Sequence, residues 1–599
     1  MSKKPFFTPV RRNHIIGPAG VGSLIVTRNG ITALICGLPT WLNQAPRRGA
    51  SESARKEDLV QLLDQYTLHD NNAEKELGVD RLLQPPVYVE EDFVSPWFIP
   101  SIRFPLAEYC TAPRCRTLHT ASSESPSIGH CNDPECVTSR KRPATTQQIP
   151  LVIACPDGHL DEPDFISLTH PNGPCNPQPR LQYKPGNNIT TPEITCRDCG
   201  TRIRLTKDNT PPCTGRRPWI PGLPPDTCGK KTTILDRTDT RTYYPDIRSY
   251  LHIPASNGLR DTVLRWLQTD HIANALRQVG PSATPQLHQR AQAVFPDLTE
   301  QALTQHLNHL NNPTPQETGP ESEITALTSG IRGVHTSDGP PVLDAETIPT
   351  SNYNPAFISP TAPITRVVAA HRLAETRTLA GFTRIEPPNS QAAATLTGYQ
   401  LLWGRRKPKD TTQDWLPGMR IYGEGIYLQL NQDHVTTWAH QARQQISDIN
   451  LHGQTLTPQY QLAHTLAHLL MNAASLECGY PIASLRDRIY TTPDTTALLI
   501  YTGEGDILGT LGGLVELAQP GSLEQLLQSA YNTAHWCSLD PVCLNPVQHI
   551  RHATAGACHQ CCLLPETACS AWNKGLDRAT LIGRGPLQGY LPIAQARRG

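Results

Sequence analysis

Eighteen cysteines are unevenly spread along this 599-residue chain, and most fall in three clusters. The first reads CTAPRC then CNDPEC, placing Cys110, Cys115, Cys131 and Cys136 in a C-x4-C-x15-C-x4-C pattern. Two knuckles separated by a ribbon-length spacer can deliver four thiolates to a tetrahedral zinc ion. The second is CRDCG, Cys196 and Cys199, followed by Cys213 and Cys228, and reads as a second four-cysteine site. Gly200 after the knuckle permits the left-handed turn that such knuckles need. The third runs from CSLDPVC to ACHQCCLLPETAC and holds Cys537, Cys543, Cys558, Cys561, Cys562 and Cys569. Six cysteines exceed the four that one zinc takes, so at least two are spare or bind differently. These sets are thiolate-rich and lack a carboxylate base, which points to structural rather than catalytic zinc, at two to three sites. The N-terminus has basic residues but no apolar core of a secretory signal, so a cytoplasmic, reducing location is expected and disulfides are not.

Other motifs carry less. In LVIACPDGHLDEPDF, Cys155 and His159 could be ligands, or a nucleophile with its base. The plainer expectation is a strand, Leu151 to Ala154, ending in a Pro-Asp-Gly turn with His159 acting locally. HTLAH puts His464 and His468 one helical turn apart, but Thr465 stands where a zinc protease needs glutamate. YTGEGDILGTLGGLVEL has no Lys-Ser or Lys-Thr, so it is not a phosphate-binding loop.

The net charge is zero, so no global field draws the chain to nucleic acid or anionic lipid. With 41 arginines to 12 lysines, local phosphate contacts are still open, in RRNHI (Arg11, Arg12), SRKRP (Arg140, Lys141, Arg142) and WGRRKPK (Arg405, Arg406). Each is equally an ordinary solvated surface. No apolar run is long enough to span a membrane.

The elements that must position these residues divide the chain into four. Residues 1–100 open with a hairpin in GVGSLIVTRNGITALICGLPTWL and continue with a charged helix, SESARKEDLVQLLDQY. Residues 101–250 form a loop-rich, zinc-ribbon-like region, and 56 prolines in the chain imply many irregular connections. Residues 251–340 are a helical insertion closed by a polar linker, PTPQETGPESE (313–323). Residues 341–599 form an α/β C-terminal domain. In it, ITRVVAAHRLAETRTLAGFTRIEP reads as a helix or strand-helix edge, YGEGIYLQL and TALLIY as strands, and SLEQLLQSAYNTAHW as a helix. The fold class is α+β, multidomain.

Several ordered stretches together resemble a known family. HRLAETRTLAGFTRI, GEGIYL, HTLAHLLMNAASLECGYPIASLRDRIY, YTGEGDILGTLGGL, ACHQCCLLPETAC and NKGLDRATLIG are similar to the MrfA-type zinc-binding domain that ends certain superfamily 2 repair helicases. Upstream, GPAGVGSLIV, LPTWL, PLVIACPDGHLDEPDF and RTYYPDIRSYLHIP resemble its stand-alone form, the DrmB subunits of the DISARM anti-phage system. The match spans nearly the whole chain, least in 255–340. Asn13-His14 and the x4 spacing of the first knuckles depart from the family pattern. The resemblance implies a non-catalytic partner of a separate helicase subunit, DrmA, engaging phage DNA alongside a methyltransferase that marks host DNA. It also implies a C-terminal zinc site on Cys558, Cys561 and Cys569, with Cys537 or Cys543 as fourth ligand and Cys562 spare. The competing classes are a stand-alone metal-dependent nuclease or hydrolase, using Cys155, His159 or the His464/His468 pair, and a scaffold that touches only protein.

Overall fold

The structure is a computed structural model that describes residues 10–41, 66–68, 70–86, 99–123, 125, 127–139, 142–186, 192–206, 210–252, 266–267, 271–279, 283–295, 298–301, 303–304, 307, 319–329, 343–387, 397–404, 415–451, 454–503, 512–545, 555–565 and 568–591. The charged stretch SESARKEDLVQLLDQY falls almost wholly outside these residues, as do 313–318 of the expected linker. Helices and many small sheets alternate, the α+β class expected from the sequence. The chain forms two compact units, one from residues 1–249 and 377–419, the other from 250–376 and 420–599.

The first unit is built from three-stranded antiparallel sheets whose strands are two to four residues long. The hairpin Leu24–Val26/Thr32–Ile35 turns at Gly30, where φ is +75°, and adds Ser101–Arg103 as a third strand. Ala107–Cys110 lies between Leu118–Thr120 and Thr146–Gln148; Leu151–Ala154 lies between Leu160–Asp161 and Thr233–Asp236; Glu193–Cys196 lies between Leu181–Lys184 and Arg202–Arg204. Strands this short cannot bury a core alone. Tyr109, Ile149, Leu151, Tyr183 and Ile194 pool one apolar cluster between them.

The second unit has a conventional core. Residues 364–376 of the strand Ile364–Thr383, residues 420–430 of the strand Trp415–Leu430, then Thr496–Thr502 and Leu485–Thr491 neighbour one another in that order, with Leu343–Ile348 pairing on residues 367–373. Residues of TALLIYT alternate between two covered faces: Leu498 and Ile500 join Leu462, Leu466 and Leu470, while Leu499 and Tyr501 join Leu327 and Val368. The helix Pro458–Cys478 starts on a Thr457 cap that accepts from Tyr460 N and ends at Gly479 with φ +74°. Its side chains are buried almost without break from Pro458 to Ala474. The helix Ser522–His535 packs on it through Leu523, Leu526, Leu527 and Ala530.

Two sequence expectations are corrected here. ITRVVAAHRLAETRTLAGFT is one 20-residue strand, although Ala, Leu, Glu and Arg favour helix locally. Pairing with partner strands and burial on both faces override that propensity. The end of PTPQETGPESE is not linker: Pro320–Thr328 is a helix, and Glu323 is buried against Arg488 and accepts from Tyr490 Oη at 2.9 Å.

Candidate metal centres

In the first unit, Cys110 ends a strand, Cys115 sits in the following turn, and Cys136 lies in the helix Pro134–Thr138, capped by Asp133. Cys131 completes the set, and all four are buried. Sulfur separations are 3.8 Å for Cys110–Cys136 and 3.7 Å for Cys115–Cys131. A disulfide needs about 2.05 Å. Four thiolates at about 2.3 Å from zinc stand about 3.8 Å apart along the edges of a tetrahedron. The four cysteines that the sequence grouped here are brought together at that spacing.

The second cluster is split in two. Cys213 and Cys228 do not join Cys196 and Cys199; they meet Cys155 and His159. Cys155 follows the strand Leu151–Ala154, and a Pro156–Gly158 turn returns the chain to His159, so the expected local geometry exists but its residues face a four-ligand group. His159 Nδ1 is 3.4 Å from Cys155 Sγ, while Nε2 is 3.2 Å from Asp226 Oδ2. Arg217 holds Asp226 at 2.8 Å. One ring nitrogen toward the sulfurs and the other on a carboxylate is how a metal-ligating histidine is oriented. Gly215 has φ +73°, and a Cβ there would stand 1.8 Å from Asp226 O, so the Asp226 loop can approach Cys213 only over glycine. The Cys213 thiol and then His159 pull the Cys155 thiol down to about 4. A nucleophile could use such a thiolate, but Cys155 has no exposed surface and two further cysteines converge on it.

Cys196 and Cys199 instead meet His170 and Cys175, neither of which the sequence reading singled out. His170 ends the helix Phe165–Thr169; its Nδ1 is 3.3 Å from Ile166 O and its Nε2 is 3.3 Å from Cys199 Sγ. Cys175 and Cys196 sulfurs are 3.7 Å apart. The available signal was THPNGPC, a histidine and a cysteine flanking a Pro-Asn-Gly turn before CRDC. This set lies entirely between the Cys155/His159 and Cys213/Cys228 halves of the previous one, so grouping cysteines by nearness in sequence joins the wrong pairs.

In the second unit, Cys537, Cys543, Cys558 and Cys561 form a four-cysteine cluster consistent with a zinc site. Sulfurs are 3.5 Å apart for Cys537–Cys558, 3.8 Å for Cys543–Cys561 and 3.7 Å for Cys558–Cys561. Burial pushes the Cys543 thiol up to about 12, a cost that a bound cation removes. Buried Arg578 braces the two knuckles, donating to Gly556 O at 3.0 Å, Ala534 O at 2.8 Å and Asp540 Oδ1 at 2.6 Å. Both Cys537 and Cys543 belong to the cluster, so Cys569 is displaced from the expected set: it lies with His464, His468 and Asp487. Cys562 is buried outside both groups, though its carbonyl oxygen is 2.9 Å from His468 Nδ1. Cys562→Ser is therefore expected to keep the metal of the four-cysteine cluster and Cys561→Ser to lose it, as metal analysis of the two purified chains would report.

Of the basic residues, Arg11 and Arg142 are exposed. Arg12 is half-buried and donates to Pro85 O at 2.6 Å and Gln84 Oε1 at 3.0 Å, which makes it a structural contact. Arg140, Lys141, Arg405 and Arg406 lie outside the described residues. No helix among the described residues is long and apolar enough to cross a membrane.

Residues 11–244 match the family model of a domain of unknown function, DUF8724, and residues 466–562 match the MrfA Zn-binding domain. The chain is similar to the DISARM protein DrmB of Bacillus paralicheniformis, 26% identical over 554 residues, covering 86% of this chain and 93% of that one. A solved structure, the DUF1998 helicase MrfA bound to DNA, matches with 9% identity, 33% of this chain, 21% of that chain and a TM-score of 0.17, too weak a likeness to carry an argument.

Proposed function

We propose that this chain is a zinc-stabilised, non-catalytic DNA-binding and regulatory subunit that works beside a separate superfamily 2 helicase, DrmA, in DISARM defence against bacteriophage DNA. The observation that carries the reading is the similarity to the DISARM protein DrmB over 86% of this chain, which reaches across both units rather than one zinc motif. The ligand sets support a structural role. Each of the five cysteine-containing groups described above supplies four protein ligands, whereas a catalytic zinc keeps one position for water. Zinc here would fix short strands and knuckles and supply no reaction step. In the assembly, the helicase provides ATP hydrolysis, a methyltransferase acts on host DNA, and this chain shapes the DNA path through contacts such as Arg11 and Arg142.

Co-purification with the helicase tests this. The two chains are expected to elute together, with ATPase activity confined to preparations that contain the helicase and DNA crosslinking to both chains. Metal-dependent DNA cleavage by this chain alone would overturn the reading in favour of a nuclease. A stable complex in which DNA crosslinks only to the helicase would reduce it to a scaffold.

A further inference from the structure

We propose that His464, His468, Asp487 and Cys569 form a further zinc site, a closed centre of two nitrogens, one oxygen and one sulfur inside the second unit. The proposal goes beyond the helicase-partner reading and does not depend on it.

The fold assembles the four from three places. His464 and His468 are one turn apart on the inner face of Pro458–Cys478. Asp487 lies on Leu485–Thr491, the strand against which that helix packs. Cys569 comes from the loop after the CHQC knuckle. His464 Nε2 is 3.1 Å from Cys569 Sγ and 3.2 Å from Asp487 Oδ2, and His468 Nε2 is 3.6 Å from the same oxygen. Ligands at about 2.0–2.3 Å from zinc stand roughly 3.3–3.6 Å apart in a tetrahedron.

What surrounds three of the four fixes which atoms point inward. His468 Nδ1–H donates to Cys562 O at 2.9 Å, so its Nε2 presents a lone pair to the cluster. Ser570 N donates to Asp487 Oδ1 at 2.9 Å, leaving Oδ2 for the cluster. Asn573 N donates to Cys569 Sγ at 3.2 Å, as backbone amides do to metal thiolates. His468 Nε2 and Asp487 Oδ2 are left buried without a hydrogen-bond partner. The histidine and aspartate side chains have no exposed surface, so water does not offset the convergence of electron-rich atoms. A divalent cation does. Two histidines and a carboxylate alone would also suit iron(II) with open positions, but Cys569 takes the fourth place, and nitrogen, oxygen and sulfur in a closed set favour zinc. The site is tied to the four-cysteine cluster through adjacent residues: Cys561 lies in that cluster, and the Cys562 carbonyl orients His468.

Metal analysis of the purified full chain by mass spectrometry is the test. The wild-type chain should carry five zinc equivalents, and Asp487→Asn and Cys569→Ala should each carry four. Adding Cys136→Ser to Asp487→Asn should leave three. Should these variants fail to fold, cadmium-113 spectra of the substituted wild-type chain should show five resonances, one of them, with a single thiolate ligand, well upfield of the others. Four equivalents in the wild type, an unchanged count in both single variants, or iron in place of zinc would overturn the proposal. Helicase co-purification is read separately, so failure of one does not imply failure of the other.

Discussion

A Cys136→Ser chain is expected to lose one zinc equivalent and, with it, the ordered packing of residues 107–148. The reason is what fills the centre of that region. The buried cluster there is Cys110, Ala112, Cys115, Cys131 and Cys136, with Ala144 against it, and it contains no large apolar side chain. The sheet around it has strands of three and four residues. Burial on that scale cannot offset the ordering entropy of about 1–2 kcal/mol per residue. A structural zinc site contributes apparent binding energies of about 10–16 kcal/mol to folding. Removing one thiolate also leaves a poorer ligand among three buried sulfurs. Limited proteolysis should cut within 107–148 in the variant and spare it in the parent, and prolonged chelation of the parent should reproduce the pattern. Unchanged zinc content in Cys136→Ser would refute this.

Arg384→Met is the second large effect, expected to destabilise the first unit by about 3–5 kcal/mol, the lower part of what leaving three buried carbonyls without donors costs. Arg384 is fully buried. It donates from Nε to Gly158 O at 2.9 Å, from one terminal nitrogen to Gly22 O at 2.7 Å, and from the other to Thr242 O. Its guanidinium lies 5.0 Å from the Trp219 ring centroid and 4.9 Å from that of Phe382. Methionine would fill much of the volume but leave three buried carbonyls without donors, each costing about 1–3 kcal/mol before relaxation. Lysine is not a conservative rescue, because it has no planar fork to serve three separate segments. Burial pulls the guanidinium down to about 9, opposed first by Tyr243 and then by Cys155. Three thiolates and one neutral histidine on zinc would carry a net charge of minus one close to Arg384. Gly158 belongs to the turn between Cys155 and His159, so the same substitution should speed zinc release from that group. Denaturant melts and chelator kinetics on the purified variant check both parts; parent-like values in both would sink the argument.

Much of this chain was legible before its structure. The NG-type hairpin, the TALLIY strand and the helix over SLEQLLQSAYNTAHW follow from local turn chemistry and apolar period, and all three are present. The Cys110–Cys136 set was readable because its four ligands are consecutive cysteines within one ribbon. The long strand Ile364–Thr383 was not, since its Ala, Leu, Glu and Arg composition argues for helix and only partner strands reverse it.

What the sequence determined by itself was the donor chemistry: clustered thiols in paired knuckles, the ligand type that suits zinc. What tertiary structure decided was the partnership of ligands. His170, Asp487 and the displaced Cys569 reach their groups only when separate segments pack, and the set at 170–199 nests inside the one at 155–228. A metal selects ligands by distance in space, about 2.0–2.3 Å from each donor atom, and that distance carries no information about separation along the chain.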